Sequence, residues 1–138
     1  MKRYMNAALV YALLAMAGGV FYREFTKFSA FAGKTALSVV HTHYFLLGMV
    51  FFLLLLLLEK SFAFTGPKTG RVLAVYHGGL NLTAVMLLAR GVFQVRGTAL
   101  SAGADAALSG MAGIGHILLG VSLVLLLLRL RRAVAERG

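Results

Sequence analysis

The chain has no cysteine, a single proline and only four acidic residues among 138. Without cysteine there is no disulfide, no iron–sulfur cluster and no covalent c-type haem attachment. The acids Glu24, Glu59, Asp105 and Glu136 are scattered, so no paired carboxylates arise. With no Ser-His-Asp set and no phosphate loop either, nothing points to a hydrolase. Charged residues make up 13% of the chain and hydrophobic ones 60%, where soluble domains run at about half apolar. The net charge is +10, but the basic residues only punctuate long apolar runs. There is no basic patch interleaved with aromatics, so nucleic acid is not an expected partner. The expected partner is the lipid bilayer.

Crossing about 30 Å of hydrocarbon takes roughly 20 apolar residues in a helix. Four segments qualify: residues 4–22, 36–58, 72–95 and 106–128. The second contains Phe52 to Leu58 without one polar side-chain atom. The connections are short, and Gly66-Pro67 marks a turn in the second of them. Lys2 and Arg3 ahead of an apolar run ending Ala15-Met16-Ala17 have the layout of a secretory signal peptide; the segment is read here as a retained first helix. The expected fold is all-α, an integral membrane four-helix bundle forming one domain over residues 1–138, with no room for a soluble catalytic domain.

Lysine and arginine counts give the orientation. The termini and second connection carry Lys2, Arg3, Lys60, Lys68, Arg71, Arg129, Arg131, Arg132 and Arg137, against Arg23, Lys27, Lys34 and Arg96 on the other side. Both termini are therefore expected in the cytoplasm, with the protein a multi-pass resident of a bacterial cytoplasmic (inner) membrane. In this frame His41 and His43 lie roughly 8–11 Å below the outer boundary and His116 about 15 Å down, at 1.5 Å per residue. His77 falls in the inner leaflet and Arg90 near the outer end.

All four histidines lie inside expected spans, where ionisable groups are costly and face a bundle interior, a cavity or a ligand. A single such histidine is equally well a neutral imidazole bonding to a neighbouring helix. Four of four, three of them in the outer half, favour a metal or haem site. In His41-Thr42-His43 the two imidazoles stand about 200° apart on the helix and cannot share one metal, but they can serve sites on opposite faces. Gly48, on the His41 face, leaves flat space for a porphyrin. Zinc would require three or four convergent ligands, whereas haem iron takes imidazole readily.

His41-Thr42-His43-Tyr44, followed by Leu46, Gly48, Val50 and Phe51, resembles the His-x-His-Tyr helix of haem-copper oxidase catalytic subunits. In those subunits one histidine of the pair ligates a low-spin haem and the other a high-spin haem. The motif helix is there the second of a four-helix arc and enters from the outer side, as expected here. The whole chain also looks like an uncharacterised family of small four-span bacterial membrane proteins. The oxidase copper site needs a His-His pair and a crosslinked tyrosine motif, and neither is present, so the resemblance does not extend to oxygen reduction. It implies haem b, with His41 and His43 on iron, in electron transfer or in sensing a gas or redox state.

Three four-helix arcs make the oxidase ring, so the resemblance also implies a homotrimer in which His41 of one copy and His43 of the next clamp a haem. The competing geometry pairs His43 with His116 inside one bundle. Gly110, Gly113 and Gly120 beside His116 form a small-residue stripe suited to close helix packing. Arg90 can snorkel to the interface; if haem propionates face outward, Arg90, Arg23 or Arg96 would neutralise them through charge-assisted hydrogen bonds. His77 and Asn81 form a polar face with a structural role. The electron donor and acceptor are not legible. The reading from a different class is a small transporter or an ion or proton channel subunit that uses the intramembrane His and Arg residues.

Overall fold

A computed structural model describes residues 1–136; Arg137, which entered the charge count, lies outside the described residues. Among these residues all regular structure is helical. Four long helices follow one another: α1 Lys2–Phe28, α2 Leu37–Phe62, α3 Thr69–Arg96 and α4 Ala102–Ala135. Each is long and apolar enough to cross a membrane, and in each most apolar window only 17 to 33% is buried within the chain. Such helices keep large residues on the outside, Val20, Leu57 and Ile117 among them, each at 60% exposure or more. Apolar surface on that scale is covered by lipid or by protein, not by water.

The helices overrun the expected spans, α1, α3 and α4 at both ends and α2 only at its C-terminal end, because backbone hydrogen bonding does not stop where apolar composition does. The connections shrink to match. Ala63 ends α2 and Gly97 ends α3, both in the left-handed conformation, a common helix stop. Ser101 starts α4 by accepting a hydrogen bond from the Ala104 amide, a side-chain N-cap. Glu59 ties down the α2–α3 connection, accepting from both the amide and the hydroxyl of Thr65.

α1 packs along α2, and α3 packs along α4; α2 and α3 join the two pairs. The buried face of α1 is Tyr4, Ala8, Tyr11 and Ala15, a large–small alternation at helical spacing that lets α2 approach over the alanines. α3 and α4 meet backbone to backbone at Gly79 and Gly115. A Cβ added to Gly79 would stand 2.6 Å from the Leu119 amide nitrogen. Gly91 does the same for the start of α2, whose Leu37 nitrogen would be 2.5 Å from an added Cβ. Thr35 donates to the Gly91 carbonyl and Gln94 accepts from the Ala36 amide, so this end of α2 is fixed to α3.

α2 is not uniform. Residues Tyr44–Val50 form a π-helix between two α-helical stretches, an uncommon arrangement that tends to mark functional sites. Tyr76 of α3 donates to the Leu47 carbonyl within it at 2.8 Å. Tyr44, Gly48 and Phe52 follow at intervals of four, and Tyr11 of α1 contacts all three.

Candidate functional site

The two histidines of the motif lie in the α-helical part of α2, before the π-segment, and separate to opposite sides. His41 turns toward α1. Its Cβ lies where Cβ atoms on Gly18 and Gly19 would meet it at 3.8 Å, and its ring stacks on Tyr22 with centroids 6.5 Å apart. Its Nδ1 is buried and finds no partner among the described residues. An unpaired acceptor is less costly there than an orphaned N–H, which favours the tautomer with hydrogen on Nε2.

His43 turns toward α4. Its Nδ1 lies 2.8 Å from the Val39 carbonyl one turn back. His116 repeats the arrangement on α4, with Nδ1 2.8 Å from the Ala112 carbonyl. A carbonyl only accepts, so Nδ1 carries the hydrogen in both rings, and in the neutral ring the lone pair is then on Nε2. The two rings are 6.1 Å apart between centroids and nearly perpendicular, at 87°. Anchoring one ring nitrogen so that the other is free to ligate is how metal-binding histidines are held. Zinc-type chemistry finds no support, since no three His, Asp or Glu side chains converge among the described residues.

The surroundings of this pair are bare. A cleft of about 210 Å³ lined by Thr42, His43, Leu46 and Leu47 opens beside it. On α4, Gly113 and Gly120 flank His116 by one turn on either side, and a Cβ on either would have nothing within 4 Å. Gly48 is placed differently: an added Cβ would stand 2.5 Å from Tyr11 Cβ and Cγ, so that tyrosine occupies the space the missing side chain leaves.

Arg90 binds across to α4, donating to Asp105 at 2.9 Å and to Ser109 at 2.7 Å. Ser109 lies two turns along α4 from His116, so this cluster is at the same end of the molecule as the pair. Arg23 is largely exposed and, among the described residues, its guanidinium pairs with Glu24 alone, at 3.7 Å.

His77 belongs to a second polar group toward the other end. Tyr44 donates to Asn81 Oδ1, and the Asn81 amide donates to Tyr11 Oη and to the His77 carbonyl. Tyr11 Oη and His77 Nδ1 are 2.6 Å apart. The imidazole, Phe52 and Tyr11 rings form a triangular cluster, with His77 4.7 Å from Phe52 and 5.5 Å from Tyr11 and those two rings 5.7 Å apart. The tyrosines drew no attention in the sequence, although Tyr4, Ala8, Tyr11 and Ala15 repeat at helical spacing and could have been read as an inward stripe.

A family model described as protein of unknown function (DUF2871) matches residues 1–133. The chain belongs to that family. No curated protein and no solved structure matches it. The family match agrees with the expected likeness to an uncharacterised family, and none of the comparisons links the chain to haem-copper oxidases.

Proposed function

We propose that this is a multi-pass protein of a bacterial inner membrane that holds haem b between His43 and His116 and serves electron transfer or redox sensing. The observation that carries the reading is the matched pair of imidazoles from two helices, each with Nδ1 anchored on its own helix and Nε2 without a partner among the described residues. The 6.1 Å between ring centroids is a separation at which two imidazoles could share one iron, so His43 and His116 are the residues that would hold the group, each through Nε2. Two protein ligands are sufficient for haem, because the porphyrin supplies the other four. When bound, haem would supply a one-electron couple tuned by its histidine ligands and by the hydrogen bonds those ligands make to Val39 and Ala112.

The chain's own residues have distinct tasks here. The Val39 and Ala112 carbonyls fix the two imidazole tautomers and orient the rings. Gly113 and Gly120 keep the α4 surface flat on either side of His116. Arg90, already paired with Asp105, brings a guanidinium within two helical turns that can hold a propionate. The excess of Lys and Arg at the termini and in the α2–α3 connection supports cytoplasmic termini, which puts the pair in the outer half of the bilayer. This intrachain arrangement needs no second copy. The homotrimer with His41 facing a neighbour's His43 requires His41 to leave its seat against Gly18, Gly19 and Tyr22.

The test is the pigment of the purified protein. Expression with abundant haem should yield a Soret band and sharp reduced α and β bands, and acid-acetone should extract all of the pigment, since no thiol holds it. A colourless preparation under those conditions defeats the proposal.

A further inference from the structure

We infer that the cleft between α1 and α3, beside His77, is a binding site for the ring of a lipid-soluble quinone. It has a volume of about 300 Å³ and is lined by Asn6, Val10, Tyr11, Leu14, His77 and Asn81, which is at the small end of ligand pockets. Val10 and Leu14 are exposed apolar residues at its mouth, so on a membrane-spanning chain it opens onto hydrocarbon.

The hydrogen-bond network gives the cleft a direction. The His77 carbonyl only accepts, which fixes the nitrogen of the Asn81 amide on that side. The same nitrogen then donates to Tyr11 Oη, and Asn81 Oδ1 accepts from Tyr44. Tyr11 must place its own hydrogen, and the acceptor 2.6 Å away is His77 Nδ1. His77 therefore carries its hydrogen on Nε2. No described residue accepts from that nitrogen, and it is not among the buried unpartnered atoms, so His77, which lines this cleft and the neighbouring one beside Arg3, offers an accessible N–H donor. The Asn6 side chain is exposed and bonds to no described residue, so it offers an amide to a second oxygen.

The chemistry of the walls selects the occupant. No Lys or Arg lines the cleft, so a phosphate or carboxylate headgroup would find no counter-charge there. The site offers a neutral N–H, an amide, the edge of an aromatic ring and a hydrocarbon-facing exit. A flat ring carrying two carbonyl oxygens and a lipophilic tail satisfies all four. The direction also discriminates between redox forms. A quinol hydroxyl can accept from the same N–H, but its phenolic oxygen is a weaker acceptor than a carbonyl, and donating its own hydrogen to Nε2 would push the His77 hydrogen to Nδ1 and leave the Tyr11 hydroxyl without an acceptor. The oxidised quinone should be bound more tightly than the quinol.

Binding stands independently of the haem reading; only a role as its electron partner rests on that reading, with Tyr44 of the network adjoining His43. The full chain in phosphatidylcholine nanodiscs is titrated with decylubiquinone and with decylubiquinol, and bound quinone is measured together with the carbonyl stretch of the ¹³C-labelled quinone. One saturable site per chain, a downshifted carbonyl band and a threefold to tenfold preference for the quinone are expected, from about one net hydrogen bond. Val10→Trp, at the lipid-facing mouth, should abolish saturable binding. His77→Phe should keep the stacked ring but lose the carbonyl shift. Unsaturable partitioning, displacement by added phospholipid alone, or indifference to Val10→Trp would overturn the inference. Quinone bound to colourless protein defeats only the haem reading, and pigmented protein that ignores quinone defeats only this one.

Discussion

Two alanine substitutions two residues apart on α4 should move stability in opposite directions. A Cβ on Gly115 would stand 2.5 Å from the Thr83 hydroxyl oxygen, 2.9 Å from the Thr83 amide nitrogen and 3.1 Å from the Gly79 carbonyl. Two of those three atoms are backbone, and Thr83 is fully buried, so no flexible chain end can give way. α3 and α4 must part by roughly 0.5–1 Å over the seam, and overpacking of that kind costs about 1–3 kcal/mol. Removing a mid-helix glycine returns about 0.5–1 kcal/mol. Gly115→Ala should therefore lose on the order of 1–2 kcal/mol. At Gly113 a Cβ meets nothing within 4 Å, so Gly113→Ala should show only the gain. Pigment-free protein in one detergent, denatured by increasing sodium dodecyl sulfate and followed by circular dichroism, reads both changes against the unaltered chain. A loss at Gly113 equal to that at Gly115 would refute the assignment of packed and open faces on α4. It would mean that the Gly113 face is also covered, by a second copy of the chain.

Ligand substitutions separate the two haem geometries: His43→Ala and His116→Ala should each remove the two-imidazole spectrum, while His41→Ala and His77→Ala should retain it. Loss with His41→Ala and retention with His116→Ala would move the site to an interface between copies. Tyr11→Phe deletes the hydroxyl that joins Asn81 to His77 and leaves two polar groups short of a partner, at a cost of about 1–3 kcal/mol in the same denaturation assay; a neutral result would break the network argument. Arg90→Ala removes an ion pair with partners 29% and 55% exposed and should cost no more than about 1 kcal/mol in stability. Its larger effect should be on haem retention during dialysis, and unchanged retention would remove Arg90 from the propionate role.

The four helices were legible because a lipid-facing helix must be apolar around most of its surface, and runs such as Phe52 to Leu58 admit no other reading. Their ends were not, since α1 continues through Arg23, Glu24 and Lys27 to Phe28, a stretch whose charges mark where a helix leaves an apolar layer and not where it stops. The π-segment had no signature either. It is stabilised from outside, by Tyr76 on the Leu47 carbonyl and by Tyr11 against Gly48. Both contacts come from other helices.

The histidines show the same division between what one helix decides and what two decide together. The opposition of His41 and His43 follows from helical geometry alone, and it is realised, with one ring toward α1 and the other toward α4. Which partner each ring meets depends on the rotation and depth of the neighbouring helix. On α4 both are set at Gly115, where the missing side chain admits Thr83 and the Gly79 backbone and so fixes the inward face. His116 is the next residue, about 100° further round, and is carried out of the α3 seam to the His43 side. Gly113 and Gly120, spaced three and four residues from His116, rotate with it onto the open face. The sequence displays Gly110, Gly113 and Gly120 as one stripe suited to close helix packing, but a Cβ at any of the three would have nothing within 4 Å. The close contact is made instead at Gly115, off that stripe, and Gly113 and Gly120 leave room beside His116.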